Sequence, residues 1–175
     1  MIETKRLRLM RWNEAHFKAI MENDLIKLGK LLDCETPKQW TTFKDMVDAL
    51  PFFYEGFKKN GNHWGSFFTV HKIDRQLLGT CGYKGVPNEN KMVEIGYEII
   101  EDYRLQGLAT EVAQSLVDFA FSHAGIERVW AHTLAHENPS VSVLKKLGFE
   151  FIGLYNTLED GDIWGFEILK KIAIN

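Results

Sequence analysis

The 175 residues carry 21 basic against 24 acidic side chains, a formal net charge of -3, with 45% hydrophobic and 26% charged residues. That mixture excludes a disordered or collagen-like chain and predicts one folded domain spanning 1–175, whose 12 Phe and 5 Trp supply a sizeable core. No basic excess exists to neutralise a phosphate backbone, so nucleic acid is not the expected partner.

Residues 5–12, KRLRLMRW, alternate basic and apolar side chains, which predicts a strand with Leu7 and Leu9 on one face. The charges scattered through MIETKRLRLM leave no apolar segment of a secretion signal. Asn13 offers a helix cap, and Phe17, Ile20, Met21 and Leu25 recur at helical spacing. Residues 41–59 also read as helix, with Pro51 expected to break or kink it. After Gly61 the period changes to two: GSFFTVH, QLLGTCGY and MVEIGYEII read as strands, separated by turn signals at 72–75 and 87–90.

From Gly107 the period is helical again. Leu108, Val112, Leu116 and Phe119 form an apolar stripe, while Thr110, Glu111, Gln114 and Asp118 form the wet face. Gly125 closes that helix and RVWAHTL reads as a strand. Asn138 as N-cap, Pro139 at the first helical position and Gly148 just past the end mark another helix, with Lys145 and Lys146 suiting its dipole. GFEFIGLY and DIWGFEILK then read as strands joined across Asp160-Gly161. The order is helices, antiparallel strands, then helix–strand units: a mixed α/β domain. No apolar run reaches membrane-spanning length, so no membrane is expected. Cys34 and Cys81 show no CxxC spacing, which suits a reducing compartment, and the cytoplasm is the expected location.

The segment EDYRLQGLAT, between a strand and a helix, has the chemistry of an anion site. A helix start exposes main-chain N–H groups without intrahelical partners, and the helix dipole adds positive character there. Gly107 lets a phosphate approach the main chain, Ala109 and Thr110 keep the surface low, and Arg104 offers a charge-assisted contact. A plain tight turn is the competing reading. A P-loop would need GxxxxGK[ST], and no GxGxxG follows a strand, so nucleotide hydrolysis is poorly supported.

Arg104-Leu105-Gln106-Gly107-Leu108-Ala109 resembles the R/Q-x-x-G-x-G/A loop of the GNAT superfamily of N-acetyltransferases. ETKRLRLMRW, VEIGYEI and ENPSVSVLKKLGF resemble, in order, the first strand, central strand and N-x-S-x-x-VL-x-KLGF segment of its ribosomal-protein alanine acetyltransferase branch. The resemblance covers essentially the whole chain. It implies a GNAT fold, a central, mostly antiparallel splayed sheet flanked by helices. It also implies acetyl-CoA as acyl donor, with the coenzyme wedged between two strands. The pantetheine arm would pair with the main chain at Ile99 and Ile100, and the diphosphate would sit on the amides of Leu105, Gln106, Gly107, Leu108, Ala109 and Thr110. Asn138 matches the asparagine that holds the pantetheine, and Ser140 the serine that protonates or positions the departing thiol. Where many relatives carry a tyrosine acid, this chain has Leu144.

Direct transfer needs a neutral amine. An α-amino group with pKa ~7.7–8.0 is about one-tenth neutral at pH 7, whereas a lysine at ~10.4 is neutral in roughly one molecule in 2,500. An N-terminal acceptor therefore needs only a weak base or a water relay. Glu98 and Glu94 are the nearest carboxylates along the central strand, and period-two alternation turns both away from Ile95, Tyr97 and Ile99. Each is either a base or an exposed strand charge. Glu159 and Asp160 offer acidic groups to the acceptor side, against the alternative of a solvated turn. Tyr155 is a weaker acid candidate, better read as packing on the sheet. His132 and His136 bracket a strand end without a third ligand, so no metal site is expected.

Cys81 reads as buried and inert. The rings from Trp40 through Phe52, Phe53, Tyr54 and Phe57 to Trp64 read as core that also shapes substrate access. The resemblance implies a primary amine as acceptor, either a protein N-terminus or a small molecule. A non-catalytic acyl-CoA-binding module and a purely structural protein remain as alternatives, and both monomer and homodimer are open.

Overall fold

The computed structural model describes residues 1–43, 46–60, 63–158 and 160–171. The strands are β1 (Ile2–Glu3), β2 (Leu7–Arg11), β3 (Ser66–His71), β4 (Gln76–Tyr83), β5 (Met92–Tyr97), β6 (Arg128–Leu134), β7 (Glu150–Thr157) and β8 (Gly161–Leu169). The helices are α1 (Glu14–Met21), α2 (Leu25–Leu32), α3 (Met46–Asn60), α4 (Leu108–Phe121) and α5 (Pro139–Lys146). The strands form a single sheet in the order β1-β2-β3-β4-β5-β6-β8-β7. Among the described strands β5 and β6 pair in parallel and the other neighbours pair antiparallel.

Alternation along the strands builds two cores, one on each sheet face. Phe67 and Leu78 join the core beneath α4 and α5, whereas their neighbours Phe68 and Leu77 join the core beneath α1, α2 and α3. In the second core the rings of Trp12 and Phe68 stack at 4.7 Å and 11°. Trp40, Tyr54 and Phe57 pack there too, while Phe52 is exposed and Trp64 lies on the other core against Tyr83 and Phe119.

One local expectation is corrected. Phe17 and Leu25 do not share a helix: Asn23 adopts φ 51°, and Asp24 caps α2 by accepting from the Lys27 N–H. Of the break or kink expected at Pro51, the break does not occur: Pro51 lies inside α3, which runs on to Asn60. Elsewhere local chemistry decides. Asn13 and His16 form a reciprocal cap on α1, and the Asn138 side chain accepts from Val141 N–H at the start of α5. The expected stripe of α4 is buried at Leu108, Val112 and Leu116. Asn138→Ala is expected to cost about 1 kcal/mol. That should lower the melting temperature by roughly 2–4 °C in a thermal scan.

Candidate functional site

The sheet opens at its parallel seam. Pairing between β5 and β6 ends at Ile95↔Ala131, while β6 continues beside β8 as far as Leu134↔Ile163. Beyond Ile95 the other strand stays with β4: Glu98 N–H donates to Thr80 O at 2.9 Å and Ile100 N–H to Leu78 O at 2.7 Å. Successive residues of an extended chain turn their amides opposite ways. The N–H of Ile99 therefore faces the gap, with no acceptor among the described residues. Its carbonyl accepts from Arg104 Nε at 3.0 Å. Ile100, expected beside it, spends its N–H on Leu78 and its carbonyl on Tyr103 N–H, as alternation requires.

The gap leads to the start of α4. Leu105 adopts φ 60° and Gly107 φ 77°, and the first intrahelical bond runs from Glu111 N–H to Gly107 O. The N–H groups of residues 105–110 have no acceptor among the described residues, and no side chain caps the helix. Left-handed positions in a short loop gather such amides into an anion-binding concavity. A Cβ at Gly107 would meet nothing nearer than Arg6 Nη2 at 3.7 Å, so the glycine serves the positive φ and keeps the cradle open.

Arg104 braces Ile99 through Nε. The cationic flank of the loop comes from Arg6, which sequence reading missed. Its Nη1 donates to Gln106 O at 2.9 Å and its Nε to Glu111 Oε2 at 2.7 Å. Glu111 also accepts from the Thr4 hydroxyl and the Arg6 N–H. Burial alone would raise the Glu111 carboxyl, but the Thr4 and Arg6 donors outweigh it and hold the group below its ordinary value.

Glu98 is buried and its carboxylate is crowded with donors. It accepts from Thr80 N–H and hydroxyl, the Thr41 hydroxyl, and Thr42 N–H and hydroxyl, at 2.5–3.2 Å. Gly79 makes the space, since a Cβ there would stand 2.9 Å from Glu98 Cγ. Thr41 and Thr42 carry no motif that could have announced this nest. Glu94 also turns from the core under α4, into another setting. Its Oε1 lies 3.0 Å from His132 Nδ1 and 2.7 Å from Lys84 Nζ, ion-pair distances without hydrogen-bond geometry. Burial would raise the Glu94 carboxyl, but the His132 and Lys84 side chains beside it outweigh that and hold it below its ordinary value.

At the other lip, Asn138 accepts from Thr133 Oγ1 and donates to the carbonyls of Leu134 and His136, so it ties the strand end to α5 as well as capping it. Ser140 sits half-buried in the first turn of α5. Facing it from β5 is Tyr97, whose hydroxyl is enclosed and makes no hydrogen bond among the described residues. Burial pushes its phenol up, and Ser140 partly offsets that. Strand register brings these two together, which no local pattern could show. Tyr155 lies across Gly165, with its ring 5.7 Å from that of His132. Asp160 is exposed at the β7–β8 turn, and Glu159 lies outside the described residues. Cys81 is buried, which raises its thiol to about 12.

Comparison with known proteins gives the family and the fold. An acetyltransferase (GNAT) domain model matches residues 6–150. The uncharacterized N-acetyltransferase YjdG of Bacillus subtilis (strain 168) is 34% identical over 152 residues, covering 85% of this chain and 89% of that protein. Among solved structures, the ribosomal-protein-S5-alanine acetyltransferase of Vibrio fischeri superposes with TM-score 0.66 at 17% identity, covering 95% of this chain and 94% of the other. The ribosomal L7/L12 α-N-protein acetyltransferase RimL, solved with coenzyme A, gives 0.65 at 16% identity and 95% of each chain. With a family model over most of its length and a splayed sheet ending in a bare helix start, the chain belongs to the GNAT family of acetyltransferases.

Proposed function

We propose that this protein transfers an acetyl group from acetyl-CoA to a primary amine by direct attack in a ternary complex, all within one domain. The observation that carries the reading is the continuity of main-chain donors, from the Ile99 amide in the gap to the amides of residues 105–110. A pantetheine arm fits the open strand edge, and a diphosphate fits the helix start. RimL, solved with coenzyme A, and MccE, solved with acetyl-CoA and AMP, share the fold.

When bound, the coenzyme supplies an activated thioester. The Ile99 N–H donates to its carbonyl oxygen as negative charge develops there; one such donor is typically worth ~3 kcal/mol. Ser140, with Tyr97 behind it, delivers or relays a proton to the departing sulfur, and Asn138 orders the lip beside the pantetheine. Glu98 enters as the carboxylate that fastens Thr41 and Thr42 to the sheet beside the gap. The acceptor is a protein N-terminal α-amine or a small-molecule amine, the former suggested by the names of the ribosomal-protein relatives. Two free cysteines suit work in the cytoplasm.

Saturating acetyl-CoA is expected to raise the melting temperature, and thiol release is expected over a panel of N-terminal peptides, polyamines and aminoglycosides, with acetylated products identified by mass spectrometry. Binding without release on every amine would make the protein an acyl-CoA-binding module. No shift with any acyl-CoA would overturn the reading.

A further inference from the structure

We infer that His132, oriented by Glu94, takes the proton from the incoming amine; this rests on the acetyltransferase reading and names the base that it lacks. His132 follows Ala131, the last β6 residue paired with β5, so it stands at the fork where the two strands part. Ala131 and Val129 belong to the core under α4, and alternation places His132 on the opposite face. The core built by α1, α2 and α3 takes no residue from β5 to β8 among those described, so that part of the face is left to the site.

The surroundings suit a proton acceptor. Glu94 Oε1 lies 3.0 Å from Nδ1 of His132, with side-chain exposures of 21% and 15%. A negative charge 3.0 Å from Nδ1 favours the ring proton on that nitrogen, and in that tautomer Nε2 carries the lone pair. Among the described residues no ion pair or hydrogen bond occupies Nε2. The rings of Trp130 and Tyr155 stand edge-on to the imidazole at 5.8 and 5.7 Å, holding its plane. The charged and titratable groups facing it are Glu94 from β5, Lys84 beyond β4 and Tyr155 from β7. β8 contributes Gly165 opposite His132, while Glu167 turns to Trp130 Nε1 and Arg128. The Glu98 oxygens, by contrast, already accept from three threonines.

The amine arrives as R–NH3+. His132 Nε2 accepts one proton, and the freed lone pair forms the C–N bond at the thioester carbon. The C–S bond breaks with its electron pair leaving on sulfur. A second amine proton passes to that sulfur through Ser140, and the imidazolium returns its proton to water.

The test uses a pentapeptide with a free N-terminal alanine and spermidine as acceptors. His132→Ala is expected to lower kcat/KM at least about 100-fold, to keep the acetyl-CoA melting shift, and to regain turnover when imidazole is added. Glu94→Gln is expected to give a smaller loss and a displaced pH profile. Activity of His132→Ala within about threefold of wild type would overturn the inference. Independently of any acceptor, 15N-resolved NMR of the unliganded protein is expected to show the Nδ1–H tautomer at His132, weakened in Glu94→Gln. An Nε2–H tautomer would overturn the assignment. An absent acetyl-CoA shift in the wild type would instead remove the underlying acetyltransferase reading.

Discussion

Gly107→Glu is expected to abolish the stabilisation that acetyl-CoA confers. Two effects combine. Gly107 holds φ 77°, where a residue with a Cβ costs about 1–2 kcal/mol. The larger effect is electrostatic, because a carboxylate placed on the amides of residues 105–110 occupies and repels the position of a diphosphate. At a hundredfold excess over Kd the coenzyme should contribute about 2.7 kcal/mol. For a chain of this size that is roughly 5–11 °C in melting temperature. Gly107→Ala separates the two effects. The space beside Gly107 is open, with Arg6 Nη2 at 3.7 Å, so alanine adds backbone strain without charge and should keep most of the shift. An undiminished shift in Gly107→Glu, read by scanning fluorimetry, would place the diphosphate elsewhere.

Glu98→Ala is expected to be the most damaging polar substitution for stability. It removes the acceptor for two Thr80 donors, two Thr42 donors and the Thr41 hydroxyl, and leaves the buried Thr80 groups unpaired. Hydrogen bonds to a charged group contribute about 1.5–3 kcal/mol each, and orphaned donors add to the loss, so a total of about 3 kcal/mol or more is expected. That corresponds to a drop of roughly 6–12 °C. Glu98→Gln keeps one carbonyl oxygen but turns an NH2 toward threonine donors, so a smaller loss of stability follows. If Glu98→Gln melts like wild type yet releases no thiol, Glu98 is itself the base, and the tether reading fails.

The parts legible in the sequence are those fixed by neighbours along the chain. α5 is announced by Asn138, Pro139 and Gly148, and β6 by RVWAHTL with boundaries that the structure reproduces. The loop before α4 is legible for the same reason: its unpaired donors are main-chain, and Gly107 marks it. What stayed hidden depends on pairing across the sheet. Leu25 continues the helical spacing of α1, so periodicity alone runs past the break at Asn23 and Asp24. β1 is two residues long and is held by its register against β2.

Side-chain partnerships are harder still. Arg6 meets Glu111 across 105 positions, and Thr41 meets Glu98 across 57. His132 meets Glu94 because the parallel seam sets Glu94 against Trp130, two residues earlier and on the same face as His132. Tyr97 faces Ser140 because the seam opens between them. Each of these is a consequence of topology, and none leaves a local trace.

The brace from Thr4 and Arg6 to Glu111 and Gln106 has a thermodynamic consequence. A loose loop must surrender conformational freedom when it closes on an anion, and that loss subtracts from affinity. Here the mould is set in advance, because its far shoulder is riveted to the outermost hairpin of the sheet. In the proposed reading, grip on the coenzyme is thereby linked to the folding of the chain's first dozen residues. Fraying of that border would weaken the grip while leaving every contacting group chemically intact.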